Sequence, residues 1–267
     1  MENPKQIYKY EHFNIQSIKN LKAQSIFFGS PLTFNDPYDC AITAGFKKLS
    51  EQEIEEIRNA YINKPDIPFE VRDEFVNSST QILRDKFLEI ANSTIHLEKQ
   101  RFLQNNGVSC FSEKNDDLLM WSHYGDQYKG YCLGFSTEYE PFNKIRKVKY
   151  CSAMPKIDLV PVLLNNDCSQ ILELFYIKAE SWQYEKEWRS IHQKAGTLFT
   201  YMEKALQDVY CGPDMDSESL EIICLILGGQ NSHVNFWKGS RSENEFKVNF
   251  DLFSYTPFIK AKELGLI

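Results

Sequence analysis

Two segments decide the fold class: Val108-Ser-Cys-Phe-Ser112, bounded by Gly107, and Tyr131-Cys-Leu-Gly-Phe-Ser136. Each is short, apolar and closed by serine, which is the pattern of a buried strand. Lys147-Val-Lys-Tyr-Cys151, the alternating run 185–192 and Gln207-Asp-Val-Tyr-Cys-Gly212, ending at Gly212-Pro213, read as further strands. Residues 233–238 and 245–250 read as a closing antiparallel pair. Toward the N-terminus, Ile7-Tyr-Lys-Tyr10 and the segment from Ser25 closed by Gly29 read as strands around a helical turn or short helix, 15–21. Between the early and late strands, about 50–106 is helical. Ser50 and Glu53 make a capping box, and Ile54, Ile57 and Tyr61 share one face. Pro65 and Pro68 break the pattern. A longer helix follows with Phe75, Ile82, Phe87 and Ile90, and ends at Asn105-Asn-Gly107. Ile171, Leu174, Phe175 and Lys178 have helical spacing, as do Leu220, Ile223, Cys224 and Leu227 up to Gly228-Gly229. Helices cluster early and strands late. This is an α+β pattern, a mainly antiparallel sheet with a helical segment inserted after the first strands. No stretch has linker composition, so residues 1–267 read as one domain.

The chain has 267 residues, 42% of them hydrophobic, with 19 Phe, 14 Tyr and 4 Trp. That composition excludes disorder. A net charge of −7 argues against generic nucleic-acid binding, which uses a basic excess. No apolar run approaches the roughly 18 residues that span a bilayer. Met1-Glu-Asn-Pro-Lys-Gln6 lacks the basic and apolar regions of a secretory signal. A cytoplasmic location without membrane partners is the expectation. Seven cysteines without a C-x-x-C pair read as reduced, mostly buried thiols. Cys110 with His123 is the one nucleophile–base pair to check. Five histidines without ligand spacing imply no metal, and no phosphate-binding or nucleophile-elbow motif occurs.

Two clusters carry candidate chemistry. In residues 110–126, Ser112 ends a strand, an acidic loop follows, and Trp121, His123 and Tyr124 bring an indole, an imidazole and a phenol together. They form either a core anchor or the wall of a pocket for a flat ligand. In Ser181-Trp-Gln-Tyr-Glu-Lys-Glu-Trp-Arg189, a continuous strand would put Gln183, Glu185 and Glu187 on one face, the carboxylates about 7 Å apart. Such carboxylates can orient a sugar hydroxyl or stabilise a growing positive charge. The alternative is a solvated face balanced by Lys186 and Arg189. Tyr8-Lys9-Tyr10 and the turn-forming Phe34-Asn-Asp-Pro-Tyr-Asp39 complete the set.

These motifs, with Cys110-Phe-Ser112 and Met120-Trp-Ser-His-Tyr-Gly125 between them, follow one order along the chain. As an ordered set from about Ile7 to Phe250 they resemble a bacterial and phage family, domain of unknown function 2971. A more distant resemblance is to ADP-ribosyltransferases, which use an early strand, a middle strand and a late E-x-E or Q-x-E strand in that order. The second resemblance implies a split antiparallel sheet and NAD as substrate, in a bacterial toxin or anti-phage effector. It places Tyr8, Lys9 and Tyr10 at the first position, Ser112 at the second, and Glu185 and Glu187 at the third. Glu187 would hold the ribose hydroxyl and Glu185 would steer a macromolecular acceptor. Trp121 or Tyr124 would stack on nicotinamide or adenine, with His123 and Arg189 in the same binding set. Asn35, Asp36 and Asp39 are further loop candidates. Two other readings stand beside it: a non-catalytic module sensing a nucleotide or a partner, and a nuclease-like toxin with Asp36, Asp39, Glu185 and Glu187 around Mg²⁺.

Overall fold

The structure is a computed structural model and describes residues 3–41 and 44–265. In chain order its elements begin with β1 (Gln6–Glu11), α1 (Ile15–Lys22), β2 (Ser25–Phe28) and β3 (Gly45–Phe46). Helices α2 (Glu51–Ile62), α3 (Phe69–Asn77) and α4 (Thr80–Asn105) follow. Then come β4 (Gly107–Ser112), α5 (Leu118–His123), β5 (Tyr131–Ser136), β6 (Ile145–Lys147), β7 (Lys149–Cys151) and β8 (Lys156–Ile157). After α6 (Leu159–Asn165) and α7 (Ser169–Leu174) the chain forms β9 (Ile177–Ala179), β10 (Glu187–His192), β11 (Thr197–Thr200) and β12 (Leu206–Cys211). It closes with α8 (Ser217–Gln230), β13 (Asn235–Arg241), β14 (Val248–Phe253) and α9 (Phe258–Glu263). The described residues divide into two compact units, one from 1–30, 107–148 and 181–267, the other from 31–106 and 149–180.

The first unit is built on an eight-stranded sheet, ordered β14-β13-β12-β5-β1-β4-β10-β6. Only β12 and β13 run parallel; the other pairs are antiparallel, the mainly antiparallel α+β arrangement expected from sequence. Strand alternation gives the sheet two unlike faces. One carries Ile7, Phe111, Leu133, Phe135, Trp188 and Val209, packed against Leu21 of α1 and Ile223 and Leu227 of α8. Each such side chain contributes on the order of 1.5–3 kcal/mol on burial. The other face carries Tyr8, Tyr10, Cys132 and Tyr210, covered by Met120 and Trp121 of α5.

The second unit holds the inserted helices. The Ser50–Glu53 capping box forms, and Ile54 and Ile57 are buried. The single long helix expected across 75–90 is two helices. Ser78 is extended, and Ser79 caps α4 by accepting a hydrogen bond from Ile82 N. Ile82 is therefore exposed, while Leu83, Phe87, Ala91 and Ile95 make the buried stripe at four-residue spacing. Phe75, Tyr61 and Phe87 pack ring on ring. The helical face expected to run to Lys178 stops at Leu174, and Lys178 lies in β9. Likewise 147–151 is not one strand: β6 joins the large sheet, and β7 pairs with β9.

The loop after α5 is held in an unusual backbone. Asp126, Gln127 and Tyr128 have φ of 52°, 52° and 71°, left-handed values that cost roughly 1–2 kcal/mol for each non-glycine residue. Hydrogen bonds from Tyr128 N to Trp121 O and from Gly130 N to Gly125 O fix the turn. A Cβ at Gly130 would stand 2.2 Å from Glu11 O, so only glycine fits there. Gly130→Ala is expected to lower stability by about 1–3 kcal/mol. Gln127→Gly is expected to raise it by up to about 1 kcal/mol, since glycine adopts this φ freely. Urea unfolding of the two variants measures both shifts.

Candidate functional site

The antiparallel registers place Tyr8 opposite Ser112, and Ser112 opposite Glu187. Three residues from distant parts of the chain thus stand in one row across β1, β4 and β10, on the sheet face covered by α5. Tyr10 and Arg189 lie one step along the same face.

Glu187 and Arg189 are two residues apart on β10, so their side chains leave the strand on the same side. Arg189 Nε donates to Glu187 Oε1 at 2.7 Å and Nη2 donates to Oε2 at 3.0 Å. Arg189 is fully buried and Glu187 is 3% exposed. Ser112 is buried as well, its hydroxyl donating to Glu185 O at 2.7 Å.

Glu185 does not share a strand with Glu187. Residues Glu180–Glu185 form a 3-10 helix, and Lys186 has a left-handed φ of 46°. The strand begins only at Glu187, so the expected 7 Å face of paired carboxylates does not exist. Trp182 and Tyr184 lie in the 3-10 helix, before the strand that carries Trp188. Glu185 meets Ser112 through its backbone carbonyl instead, while its buried carboxylate accepts from Tyr124 Oη at 2.7 Å.

Other candidates divide between core and surface. Trp121 is a core anchor rather than a pocket wall: it is fully buried, its Nε1 donates to Asn115 O at 2.7 Å, and it meets Tyr10 edge to face. Tyr10 is also buried and donates from its hydroxyl to Lys114 O. Lys9 leaves β1 on the opposite face, beside Glu11 and over the Phe111 ring, and takes no place in the row. His123 is exposed, its Nδ1 2.9 Å from Tyr184 Oη, with the Trp182 ring 6.2 Å away. Tyr8 is half-buried, and its phenol is raised above its ordinary pKa by burial first and by nearby negative charge, Asp208 included. Cys110 faces Arg189 across the β4–β10 pair, while the imidazole of His123 is occupied by Tyr184.

Asn35, Asp36 and Asp39 belong to the second unit. Asn35 is exposed, Asp36 Oδ1 accepts from Tyr38 N at 2.8 Å, and Asp39 forms a buried ion pair with Lys178 at 3.4 Å. Among the described residues no three His, Cys, Asp or Glu side chains are grouped to hold a metal ion. No described helix is long and apolar enough to cross a membrane.

Two polar groups on the first unit escaped the sequence reading. Glu113 Oε1 accepts from Lys147 Nζ at 2.6 Å and from Trp188 Nε1 at 2.7 Å. Asp208 accepts from Gln6, Asn235 and Trp237. Each joins residues far apart in sequence; for Asp208 the visible signal was Gly134, an isolated glycine within a strand, which marks a close approach.

The Glu113 site makes a pH-dependent contribution. Burial acts to raise its pKa, but the hydrogen bonds from Lys147 and Trp188 and the Lys147 charge outweigh it, so the folded value lies below the ordinary one. A depressed carboxylate stabilises the fold above its unfolded pKa of about 4.3 and loses that contribution as pH falls through the folded value. Glu113→Gln is therefore expected to lower Tm at neutral pH. The gap from the unaltered chain closes below about pH 4. Thermal melts of both proteins across that range provide the check.

No curated protein and no solved structure matches the chain. Residues 120–190, which include Trp121, His123, Tyr124, Glu185, Glu187 and Arg189, match the model of a protein family of unknown function, DUF2971. The match falls within the longer span whose ordered motifs resemble the same family.

Proposed function

We propose that the chain is an NAD-using enzyme of the ADP-ribosyltransferase type, which transfers the ADP-ribosyl group to an acceptor or to water. The observation that carries this reading is the row Tyr8–Ser112–Glu187. The three positions assigned from motif order and the E-x-E pair are neighbours on adjacent strands and on one face.

The donor set fits the substrate. Arg189 donates to each oxygen of Glu187, and a carboxylate is the kind of acceptor to which a ribose hydroxyl donates. Arg189 also fixes the plane of the carboxylate, so the negative charge is aimed before substrate arrives. As the bond between ribose and nicotinamide breaks, nicotinamide leaves with the bonding electrons and positive charge grows on the sugar. Glu187 opposes that charge at close range in a site poor in water. The acceptor oxygen or nitrogen, or water, then forms the new bond. The Tyr124 hydroxyl holds Glu185 beside Ser112, where a carboxylate can orient the acceptor. Glu187 and Ser112 are buried, so substrate entry requires the covering groups to move, the common role of mobile active-site segments.

Nicotinamide release from NAD by the purified protein tests this. Turnover is expected, and Glu187→Gln is expected to reduce it by roughly a hundredfold or more, the scale of losing one electrostatic stabiliser. Because the substitution alters a buried ion pair, its thermal melt is compared with that of the unaltered chain. A folded Glu187→Gln protein with unchanged turnover, or an unaltered protein that consumes no NAD, would sink the reading.

The sensing module is the second reading, favoured by the exposed His123 beside the partly buried Trp182, Tyr184 and Tyr124. Rings at a surface can stack on a base without chemistry. Saturable NAD binding without turnover, lost in Trp182→Ala, would favour it.

A further inference from the structure

The row continues away from Glu187. Tyr8 pairs with Gly134 of β5, and Gly134 with Asp208 of β12. Asp208 thus stands on the same sheet face as Glu187, four strands away. At ordinary strand spacing that is about 19 Å.

Asp208 is 9% exposed. Its Oδ2 accepts from Gln6 Nε2 at 2.6 Å, and its Oδ1 accepts from Trp237 Nε1 at 2.8 Å and Asn235 Nδ2 at 3.1 Å. All three donors are neutral, and among the described residues no lysine, arginine or histidine pairs with this carboxylate. A charge removed from water without an opposite charge is costly, and a ligand that brings one is favoured there. The donors take three of about four acceptor positions, leaving one on Oδ2.

That carboxylate borders a cleft of about 700 Å³, lined also by Lys5, Gln6, Ser136, Thr137 and Glu138. The volume lies in the range of small-molecule sites, roughly 300–1,000 Å³. Its charges are one lysine against Glu138 and Asp208, an excess of negative charge. The geometry also depends on a missing side chain. A Cβ at Gly134 would stand 2.8 Å from Gln6 Nε2 and 3.3 Å from Asp208 Cβ, so any other residue pushes Gln6 away from the carboxylate.

We propose that this cleft binds a small organic cation, an ammonium or guanidinium compound that donates to the open position of Asp208 while Glu138 attracts it at the rim. The site stands apart from the NAD reading, and neither depends on the other.

Calorimetric titration of the full chain with agmatine at low ionic strength, without NAD, tests the proposal. One-to-one saturable binding is expected, with no binding of sorbitol, a neutral molecule of similar size. Asp208→Asn is expected to weaken agmatine by roughly tenfold or more. Glu138→Lys, at an exposed position that leaves the fold intact, is expected to weaken it by roughly threefold. The absence of agmatine binding, equal binding of sorbitol, or unchanged affinity in a folded Asp208→Asn protein would overturn it. Should Asp208→Asn fail to fold, unchanged affinity in Glu138→Lys would do the same.

Discussion

The ion pair between Glu187 and Arg189 is the constraint around which the first unit is arranged. Two charges of one strand are buried together, one fully and one almost so. Removing either partner would break a buried ion pair, a loss of about 3–5 kcal/mol. Strand alternation makes the pair possible, because residues two apart project from the same face. Strand β10 must therefore start at Glu187, and Lys186 takes a left-handed φ to turn the chain from the 3-10 helix into it. Ser112 then secures that turn by donating to Glu185 O. The register follows: with Glu187 opposite Ser112, and Ser112 opposite Tyr8, three distant segments meet in one line.

The strands at 108–112 and 131–136 were legible because their apolar runs are short and bounded by glycine and serine. The first inserted helix was legible because Ser50 and Glu53 announce it locally. Features set by distant contacts were not. The break between α3 and α4 rests on the extended Ser78 and the Ser79 cap, within a charged stretch whose apolar residues also fit one longer helix. The run 185–192 alternates as a strand, yet the strand starts only at Glu187, because Glu185 ends a 3-10 helix and is bonded to Ser112 and Tyr124. Asp208 looks like any acidic residue in a strand. Its significance comes from Gln6, Asn235 and Trp237, each distant in sequence or on another strand.

The abundant aromatic residues also separate into two populations. Trp121, Tyr10, Tyr131 and the phenylalanines of the first core are packing groups; the Tyr10 hydroxyl and the Trp121 indole nitrogen donate to backbone carbonyls. His123, Tyr124, Trp182 and Tyr184 gather around a polar surface, linked by His123 to Tyr184 and by Tyr124 to Glu185. The same residue types thus fill the interior and border the carboxylates. The face that carries Glu187 at one end carries Asp208 toward the other, so a single register organises both polar positions of the sheet.

The most direct measurement is a crystal structure of the Glu187→Gln protein soaked with NAD. The expected result is the ribose bearing nicotinamide within hydrogen-bond distance of residue 187, on the sheet face shared with Tyr8 and Ser112. A dinucleotide bound elsewhere on the chain, or none at saturating NAD, would contradict the central claim that this row is the working site.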